Sequence, residues 1–220
     1  ELVLVAQETT VYGQDLYGEK RLPKLLQELN KLEGLKWIRL LYCYPEEITD
    51  ELIQVMAESS KVCHYIDMPI QHSEDRILRA MGRRTNQQQI RTVVGKLREA
   101  MPDIVIRTTL ITGFPGETQD EHEALMAFVD EMEFERLGVF TYSPEEGTKA
   151  ADYPDQIDEE VKKQRQEEIM LLQQEISYDN NEQMVGRELE VLIEGYLYED
   201  DVYIGRSYRE APNVDGYIFV

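Results

Sequence analysis

Apolar segments that read as strands alternate with helical segments along most of this chain. The helical spacing is clearest from residue 22 onward, where five leucines form one stripe: Leu22, Leu25, Leu26, Leu29 and Leu32. This alternation predicts right-handed βαβ units and a parallel sheet. A full or partial (β/α) barrel and an open doubly wound sheet both fit the pattern.

Five strands are predicted: Leu2–Gln7, Lys36–Cys43, His64–Ile70, Asp103–Gly113 and Leu137–Ser143. The intervening helical patterns are Leu22–Leu32, Thr49–Ser59, Asp75–Met81, Gln87–Ala100 and Thr118–Met132. These elements define a first domain of α/β class.

A long charged helix is predicted from Glu159 to Asn181, and the pattern then changes. Three short strands without an intervening helix follow: Leu189–Leu197, Val202–Arg206 and Val214–Val220. Short strands separated by turn residues predict a small all-β unit, barrel-like in form. We therefore divide the chain into domains at residues 1–176 and 177–220.

The run 107–118 combines a buried strand, a Gly-Pro-Gly turn and the start of an acidic helix. Gly113 and Gly116 permit backbone angles and close approaches that a side chain would block. Thr118 is the expected N-cap, with Glu121 completing a capping box. A glycine turn at the carboxyl end of a parallel strand is where α/β folds bind ligands.

The same edge receives polar residues from every predicted strand of the first domain. A single such group means little, because strand ends meet loops and loops are polar. Five groups on one rim favour a site for a small polar molecule. They are residues 7–10 with 12–13, 42–44, 68–73, 112–114 and 141–144.

The rim contains no nucleophile–base–orienter set and no cluster of metal ligands. We expect His64 to be structural, His122 to be solvated on its acidic helix, and His72 to act through hydrogen bonds. Cys43 is expected to behave as a small buried hydrophobe. The arginines of the helix after Ser73 either pair with acidic neighbours or bind an anion: Arg76, Arg79, Arg83 and Arg84.

Composition restricts the class of protein. The chain has 42% hydrophobic residues and a net charge of −21, from 44 acidic and 23 basic residues. No apolar run approaches the ~20 residues of a membrane span, and no signal peptide is visible. Cys43 and Cys63 are the only cysteines, which fits a reducing compartment, so we expect a cytoplasmic protein without membrane contact.

Four motifs, in order and at the right spacing, resemble the radical S-adenosylmethionine methylthiotransferases. They lie at residues 7–13, 68–81, 112–118 and 140–148. The resemblance covers essentially the whole chain, and the terminal β unit looks like the TRAM domain of that family. It implies a partial (β/α) barrel of the radical-SAM type followed by a small OB-like TRAM domain.

The resemblance also implies a binding site for S-adenosylmethionine. Gln7 and Glu8 would lie near the methionine amino group, and Gln71, His72 and Ser73 near the ribose. Gly113 and Phe114 would pass the adenine with Tyr142 nearby, and Arg107 or an arginine after Ser73 would meet the carboxylate. No catalytic residue is assigned, and no metal ligand.

Two 4Fe–4S clusters belong to this chemistry, but the expected Cys-x-x-x-Cys-x-x-Cys ligands are absent from the sequence. Two cysteines cannot replace them, because a cluster needs several converging thiolates. We expect the chain to be a fragment that lacks the cluster ligands and is inactive alone, rather than a cluster-free relative.

Two branches of the family compete. Residues 6–10 and 143–147 resemble the branch that adds a methylthio group to the β-carbon of an aspartate in small-subunit ribosomal protein twelve. The net charge of the terminal unit supports this branch. Residues 186–220 hold eight acidic and three basic side chains, and a net negative charge disfavours RNA binding. The expected partners are this basic ribosomal protein and an electron donor, with nucleic acid disfavoured as direct substrate.

Two alternatives remain open. One is a transfer-RNA adenosine methylthiotransferase of the same family. The other is a non-catalytic module that binds a basic protein through the rim and the acidic β unit.

Overall fold

A computed structural model describes all 220 residues. The first domain contains one parallel sheet with strand order β1-β2-β3-β4-β5. Its strands are β1 (Leu2–Leu4), β2 (Ile38–Leu40), β3 (Val62–Asp67), β4 (Val105–Thr112) and β5 (Arg136–Thr141). All five predicted strands are present, and each is shorter than the sequence suggested.

Helices connect consecutive strands. They are α1 (Gln14–Tyr17), α2 (Leu22–Leu29), α3 (Asp50–Glu58), α4 (Asp75–Ala80), α5 (Gln87–Ala100), α6 (Gln119–Met132) and α7 (Glu159–Glu182). A doubly wound sheet reverses its strand order at a switch point. The strictly sequential order seen here therefore selects the partial (β/α) barrel, with helices on the convex face.

Local sequence signals place the helix starts. Thr118 and Asn86 each accept a backbone N–H three residues on, while Glu121 and Gln89 reach back to the cap. Both capping boxes satisfy backbone donors that would otherwise be unpaired. The box at Thr118 confirms the prediction for the turn after β4.

The core divides between the two faces of the sheet. Thirty buried residues fill the space between the convex face and the helices, including Leu26, Ile66 and Phe128. A smaller cluster of six lies on the concave face, with Tyr65 and Trp37 among its members. Side chains of successive strand residues point to opposite faces, which explains this division.

Helix α7 covers the outer edge of β5. The backbone groups of successive residues in β5 point alternately toward β4 and toward the open edge. Tyr142 N donates to Thr112 O of β4, so residues at odd positions such as Val139 face the open edge. At that edge the Gln166 amide donates to Val139 O at 2.6 Å. The Gln173 amide donates to Phe134 O, just before β5, at 2.8 Å.

The terminal unit forms a second sheet of three antiparallel strands, β6 (Leu192–Leu197), β7 (Val202–Arg206) and β8 (Ile218–Phe219). The strand predicted over Val214–Val220 is therefore mostly loop. Residues 207–216, here called the plug segment, instead enter the concave face of the barrel. Ala211 of this segment packs into the concave-face cluster.

Buried polar contacts fix the plug segment. The guanidinium of Arg39, wholly buried, donates to Tyr208 O at 2.6 Å and pairs with Glu1. Tyr65 donates its hydroxyl to Asp215, and Arg136 pairs with Glu210. The two units are thus joined through largely buried hydrogen bonds and the Arg136–Glu210 ion pair.

The domain division at residues 176 and 177 stays a prediction, since α7 runs through it without a break. No helix is both long and apolar enough to cross a bilayer.

Candidate functional site

The carboxyl ends of β3, β4 and β5 enclose two adjoining cavities of about 470 and 420 Å³. We call them together the rim cleft. Both are lined by Gln71, Ile111, Tyr142, Thr148 and Ala150. Parallel strands align their carboxyl ends at one edge, so residues distant in sequence converge there.

Two buried polar atoms of the rim cleft lack a partner within the chain, Gln71 Oε1 and the Tyr142 hydroxyl. Gln71 has a left-handed backbone with φ of 70°, while its N–H and C=O bond to Thr109 and Ile111 on β4. A side chain held by an uncommon backbone and left unpaired is available to a ligand.

Aromatic rings form the apolar wall of the rim cleft. Phe114 packs edge-on against Tyr142 and Tyr153, with centroids 5.2 and 6.1 Å away. Flat apolar surface beside unpaired polar atoms suits a nucleoside, whose base is aromatic and whose sugar is polar.

Gly113 sets the turn beneath these rings. Its φ is +70°, and an added Cβ would lie 2.2 Å from Cγ of Lys162. Lys162 donates to Tyr142 O at 3.0 Å, so α7 holds this part of the rim. No local sequence signal pointed to Lys162, because its role depends on the packing of a helix fifty residues away.

Glu117 holds the same turn and was not singled out by the sequence analysis. It is buried, accepts the N–H groups of Gly113 and Phe114, and pairs with Arg165 at 3.2 Å. Burial raises the pKa of Glu117, while Arg165 and the two amides oppose the rise. One sequence signal could have indicated this role of Glu117. It is an acidic residue that directly follows a Gly-Pro-Gly turn, and the backbone N–H groups of such a turn need an acceptor.

His72 and Ser73 lie behind the rim cleft and do not line it. Both are fully buried, and His72 Nδ1 accepts the N–H of Glu74 at 3.0 Å. Burial lowers the pKa of His72 to about 4. His72 is therefore neutral at pH 7, as its expected hydrogen-bonding role requires. The Ser73 hydroxyl and His72 Nε2 have no partner within the chain.

Glu8 braces the loops after β1 and β2. Its carboxylate accepts the N–H of Thr10 at 2.9 Å and that of Tyr44 at 3.1 Å. Gln7 is exposed on the same loop. The structure does not bring this pair to the walls of the rim cleft.

Arg107 lies near the amino end of β4, on the concave face and away from the rim. It pairs with Asp67 at 2.8 Å and with Asp215 of the plug segment at 3.6 Å. It borders a separate cavity of about 760 Å³ between β5, α7 and the plug segment. The structure therefore separates Arg107 from Gln71 and Tyr142.

Two of the four arginines after Ser73 pair with acidic neighbours. Arg76 pairs with Glu121, and Arg84 pairs with Glu47. Arg83 lines the rim cleft, donates to Pro69 O and lies over the ring of Tyr44. Arg83 is thus the one nearest the candidate site.

The expected solvated position of His122 is wrong. Only 1% of this residue is exposed, because α7 packs on α6 and covers it. Its Nε2 lies 2.6 Å from Glu168 of α7. His64, by contrast, binds Asp103 at 2.6 Å at the other end of β3, away from the rim.

The cysteines do not fit an iron–sulfur cluster. Cys43 belongs to the convex-face core and Cys63 to the concave-face cluster, so their thiols cannot converge. Burial raises the pKa of Cys43, and that of Cys63 to about 11, so neither is a thiolate at pH 7. No three His, Cys, Asp or Glu side chains of the chain are placed so that they could hold one metal ion.

Comparison with known families agrees with the fold. Residues 2–129 match the Radical SAM superfamily, and residues 185–220 match the TRAM domain. The chain belongs to the Radical SAM superfamily.

Two curated relatives match this chain over its whole length. The ribosomal protein uS12 methylthiotransferase RimO of Lachnoclostridium phytofermentans is 60% identical over 220 residues, which is 100% of this chain and 50% of that protein. RimO of Thermoanaerobacter sp. is 53% identical over the same coverage. The chain therefore spans about half the length of the curated relatives it matches.

A solved structure supports the fold alone. Coproporphyrinogen III oxidase (HemN) from Escherichia coli superposes with a TM-score of 0.52 at 21% identity, covering 76% of this chain and 38% of that one. The predicted partial barrel of the radical-SAM type with a terminal TRAM unit is confirmed.

Proposed function

We propose that this chain is the S-adenosylmethionine-binding and TRAM part of an enzyme that methylthiolates an aspartate β-carbon in ribosomal protein uS12. The observation that carries the proposal is the identity of 60% over the whole chain with a uS12 methylthiotransferase. Such similarity, unbroken from the barrel into the TRAM unit, favours a shared substrate as well as a shared fold.

The rim cleft fits S-adenosylmethionine by its chemistry. Gln71 and Tyr142 would meet polar groups of the nucleoside, and Phe114 with Ile111 would contact the base. Gln7, Glu8, His72, Ser73, Arg107 and Gly113 remain predicted binding residues. When bound, S-adenosylmethionine supplies radical abstraction of hydrogen from an unactivated carbon.

The residues of the chain bind and shield rather than exchange protons. His72 stays neutral, and both thiols stay protonated. Glu117 and Lys162 hold the turn and the strand that carry the aromatic wall. A rim without an acid–base pair suits radical chemistry, where the protein orients the reactants and excludes water.

The two 4Fe–4S clusters expected for this reaction would need cysteines other than Cys43 and Cys63. The electron donor would act on those clusters, and we assign no residue of this chain to either role. The reaction belongs in the cytoplasm, where a ribosomal protein substrate is found.

Calorimetric titration of the whole protein with S-adenosylmethionine tests the site. Gln71→Asn shortens the side chain while tolerating a left-handed backbone, and Tyr142→Phe removes only a hydroxyl. We expect each to weaken binding about 5- to 10-fold, the value of one lost hydrogen bond. Tyr178→Phe, on an exposed residue of α7, is the control and should bind normally.

Mass spectrometry of reaction products tests the substrate. With clusters reconstituted, the protein should add a methylthio group to uS12 and leave unmodified transfer RNA unchanged. Modification of the RNA alone would replace this proposal by the transfer-RNA alternative. Unchanged binding by both rim variants would remove the rim cleft from the S-adenosylmethionine site.

A further inference from the structure

The cavity between β5, α7 and the plug segment has no part in the proposed function. Its volume of about 760 Å³ exceeds that of either cavity of the rim cleft. Ligand sites in proteins have volumes of about 300–1,000 Å³, so this one is large enough for a small molecule. Residues of β4, β5, α7 and the plug segment line it, and both units of the chain therefore contribute to it. We call it the plug cavity.

Two glycines line the plug cavity at positions where the fold does not require glycine. Gly138 lies inside β5 and Gly216 lies in the plug segment, and neither has a left-handed φ. A Cβ added at either position would meet no atom within 4 Å apart from those of its chain neighbours. Glycine inside a strand weakens that strand and often marks a place where a ligand approaches the backbone closely. Gly138 therefore indicates space for an occupant.

Two buried polar atoms of the lining residues have no partner within the chain. One is Nε of Arg136, a hydrogen-bond donor, and the other is Oε1 of Gln173, an acceptor. The Gln173 amide is fixed, because its Nε2 donates to Phe134 O at 2.8 Å and to Ser177 Oγ at 3.1 Å. Only 4% of Gln173 is exposed. Since buried polar atoms in proteins are nearly always hydrogen-bonded, this donor and this acceptor are available to a ligand.

The donor and the acceptor lie in the same part of the plug cavity. The carbonyl that holds Gln173 belongs to Phe134, which precedes Arg136 by two residues. A single group that carries an acceptor beside a donor would therefore satisfy both atoms.

Both arginines of the plug cavity are already paired with carboxylates. The pairs are Arg107 with Asp67 at 2.8 Å, Arg107 with Asp215 at 3.6 Å, and Arg136 with Glu210 at 3.0 Å. Glu167, the remaining charged residue of the lining, is exposed. An ion buried here would lose its hydration without meeting a free counter-charge. The cavity therefore favours a neutral ligand.

Apolar side chains surround these polar groups. Leu137 belongs to β5, Met170 and Leu171 to α7, and Val214 to the plug segment. Met170, Leu171 and Val214 are exposed. A ligand with an apolar body would remove part of this surface from water, which favours binding.

We propose that the plug cavity binds a small neutral carboxamide with an apolar body. The carboxamide oxygen would accept from Arg136 Nε, and its N–H would donate to Gln173 Oε1. The apolar body would lie against Met170 and Val214. The site is separate from the rim cleft and does not depend on the proposed function. Because the plug segment lines it, the bound ligand would hold the terminal unit against the barrel.

Ligand-observed NMR titration of the whole protein with three probes of similar size tests the carboxamide class. Benzamide offers both the acceptor and the donor, acetophenone offers only the acceptor, and benzoate offers acceptors with a negative charge. We expect benzamide to bind with a Kd of about 1 mM, as is typical of a ligand of about nine non-hydrogen atoms. Acetophenone and benzoate should bind about 5-fold more weakly, because neither can donate to Gln173.

Gly138→Leu tests the location of the site. The added side chain enters open space in the plug cavity, so benzamide binding should weaken by more than about 10-fold without loss of the fold. Gly95→Leu on α5 is the matched control, because a Cβ added there is equally unobstructed and Gly95 does not line the cavity. Circular dichroism verifies that both variants fold.

Hydrogen exchange of the unmodified protein gives a second test that needs no variant. The N–H groups of Val214 and Asp215 donate to Ala211 O at 3.4 and 3.2 Å within the plug segment. Benzamide at ten times its Kd should slow their exchange about 10-fold, because opening of the plug segment would release the ligand.

Four results would overturn the proposal. They are no binding of benzamide, equal binding of the three probes, benzamide binding that a folded Gly138→Leu retains, and unchanged exchange of the two plug-segment amides. Equal binding of the three probes would mean that the cavity takes any apolar molecule of this size.

Discussion

Replacement of Glu117 by glutamine tests whether a buried charge holds the turn of the rim cleft. The substitution keeps the shape of the side chain and removes its negative charge. Arg165, whose side chain is 7% exposed, would then lose the carboxylate that lies 3.2 Å from its guanidinium. The amides of Gly113 and Phe114 would exchange a charged acceptor for a neutral one.

Breaking a buried ion pair by removing one partner costs about 3–5 kcal/mol. We expect Glu117→Gln to lower the free energy of unfolding at pH 7 by about 3 kcal/mol, since the amide oxygen retains one acceptor. For a chain of this size the matching fall in Tm is about 10 °C. Urea and thermal unfolding, followed by circular dichroism, measure both quantities.

The control is Glu121→Gln, which alters a capping box and a surface ion pair of the same turn and should cost about 1 kcal/mol. A loss below about 1 kcal/mol for Glu117→Gln would refute the reasoning. It would mean that burial keeps Glu117 as a neutral acid, which a neutral amide can replace.

Two further predictions concern buried charge. His72 has a pKa of about 4 in the fold against 6.5 when free, so the unfolded chain takes up a proton first as pH falls. The contribution of His72 to the free energy of unfolding is complete above pH 6.5 and declines toward pH 4. The loss between pH 7 and pH 5 is about 2 kcal/mol. In urea titrations His72→Asn should remove that part of the pH dependence. Arg39→Met should destabilise the chain by about 3 kcal/mol by leaving Glu1 and the Tyr208 carbonyl short of a donor, and should expose the plug segment to chymotrypsin. The control Arg79→Met, at an exposed position on α4, should neither destabilise the chain nor expose the plug segment. If the plug segment of Arg39→Met resists chymotrypsin, Ala211 and its apolar neighbours suffice to hold it.

Much of the fold was predictable because local signals and periodicity agreed. The capping box at Thr118 and the glycine at position 113 located the strand–helix junction closely. Strand limits were less accurate. Val5 and Ala6, for example, continue the apolar run of β1 but lie beyond its paired residues. The strand order needed the structure, because sequential and doubly wound sheets share one pattern of elements.

The candidate site was predictable in part. The rim position of Gln71, Phe114 and Tyr142 follows from parallel strands that end together. The burial of His122 and the role of Lys162 depend on where α7 packs, which no local pattern encodes. The end of the plug segment, residues 214–216, falls within the strand predicted over Val214–Val220, because that run is rich in residues that favour extended structure. In the structure the buried carboxylates of the plug segment pair instead with arginines of the first sheet.

The amides of Gln166 and Gln173 have a consequence for self-association. The free edge of β5 carries carbonyl groups that could template pairing with a strand of another molecule, a common route to aggregation. The Gln166 amide occupies the carbonyl of Val139 within β5, so an incoming strand cannot pair continuously along the edge. The Gln173 amide ties Phe134, just before β5, to the same helix. Helix α7 thus protects the edge of β5 from pairing with another molecule.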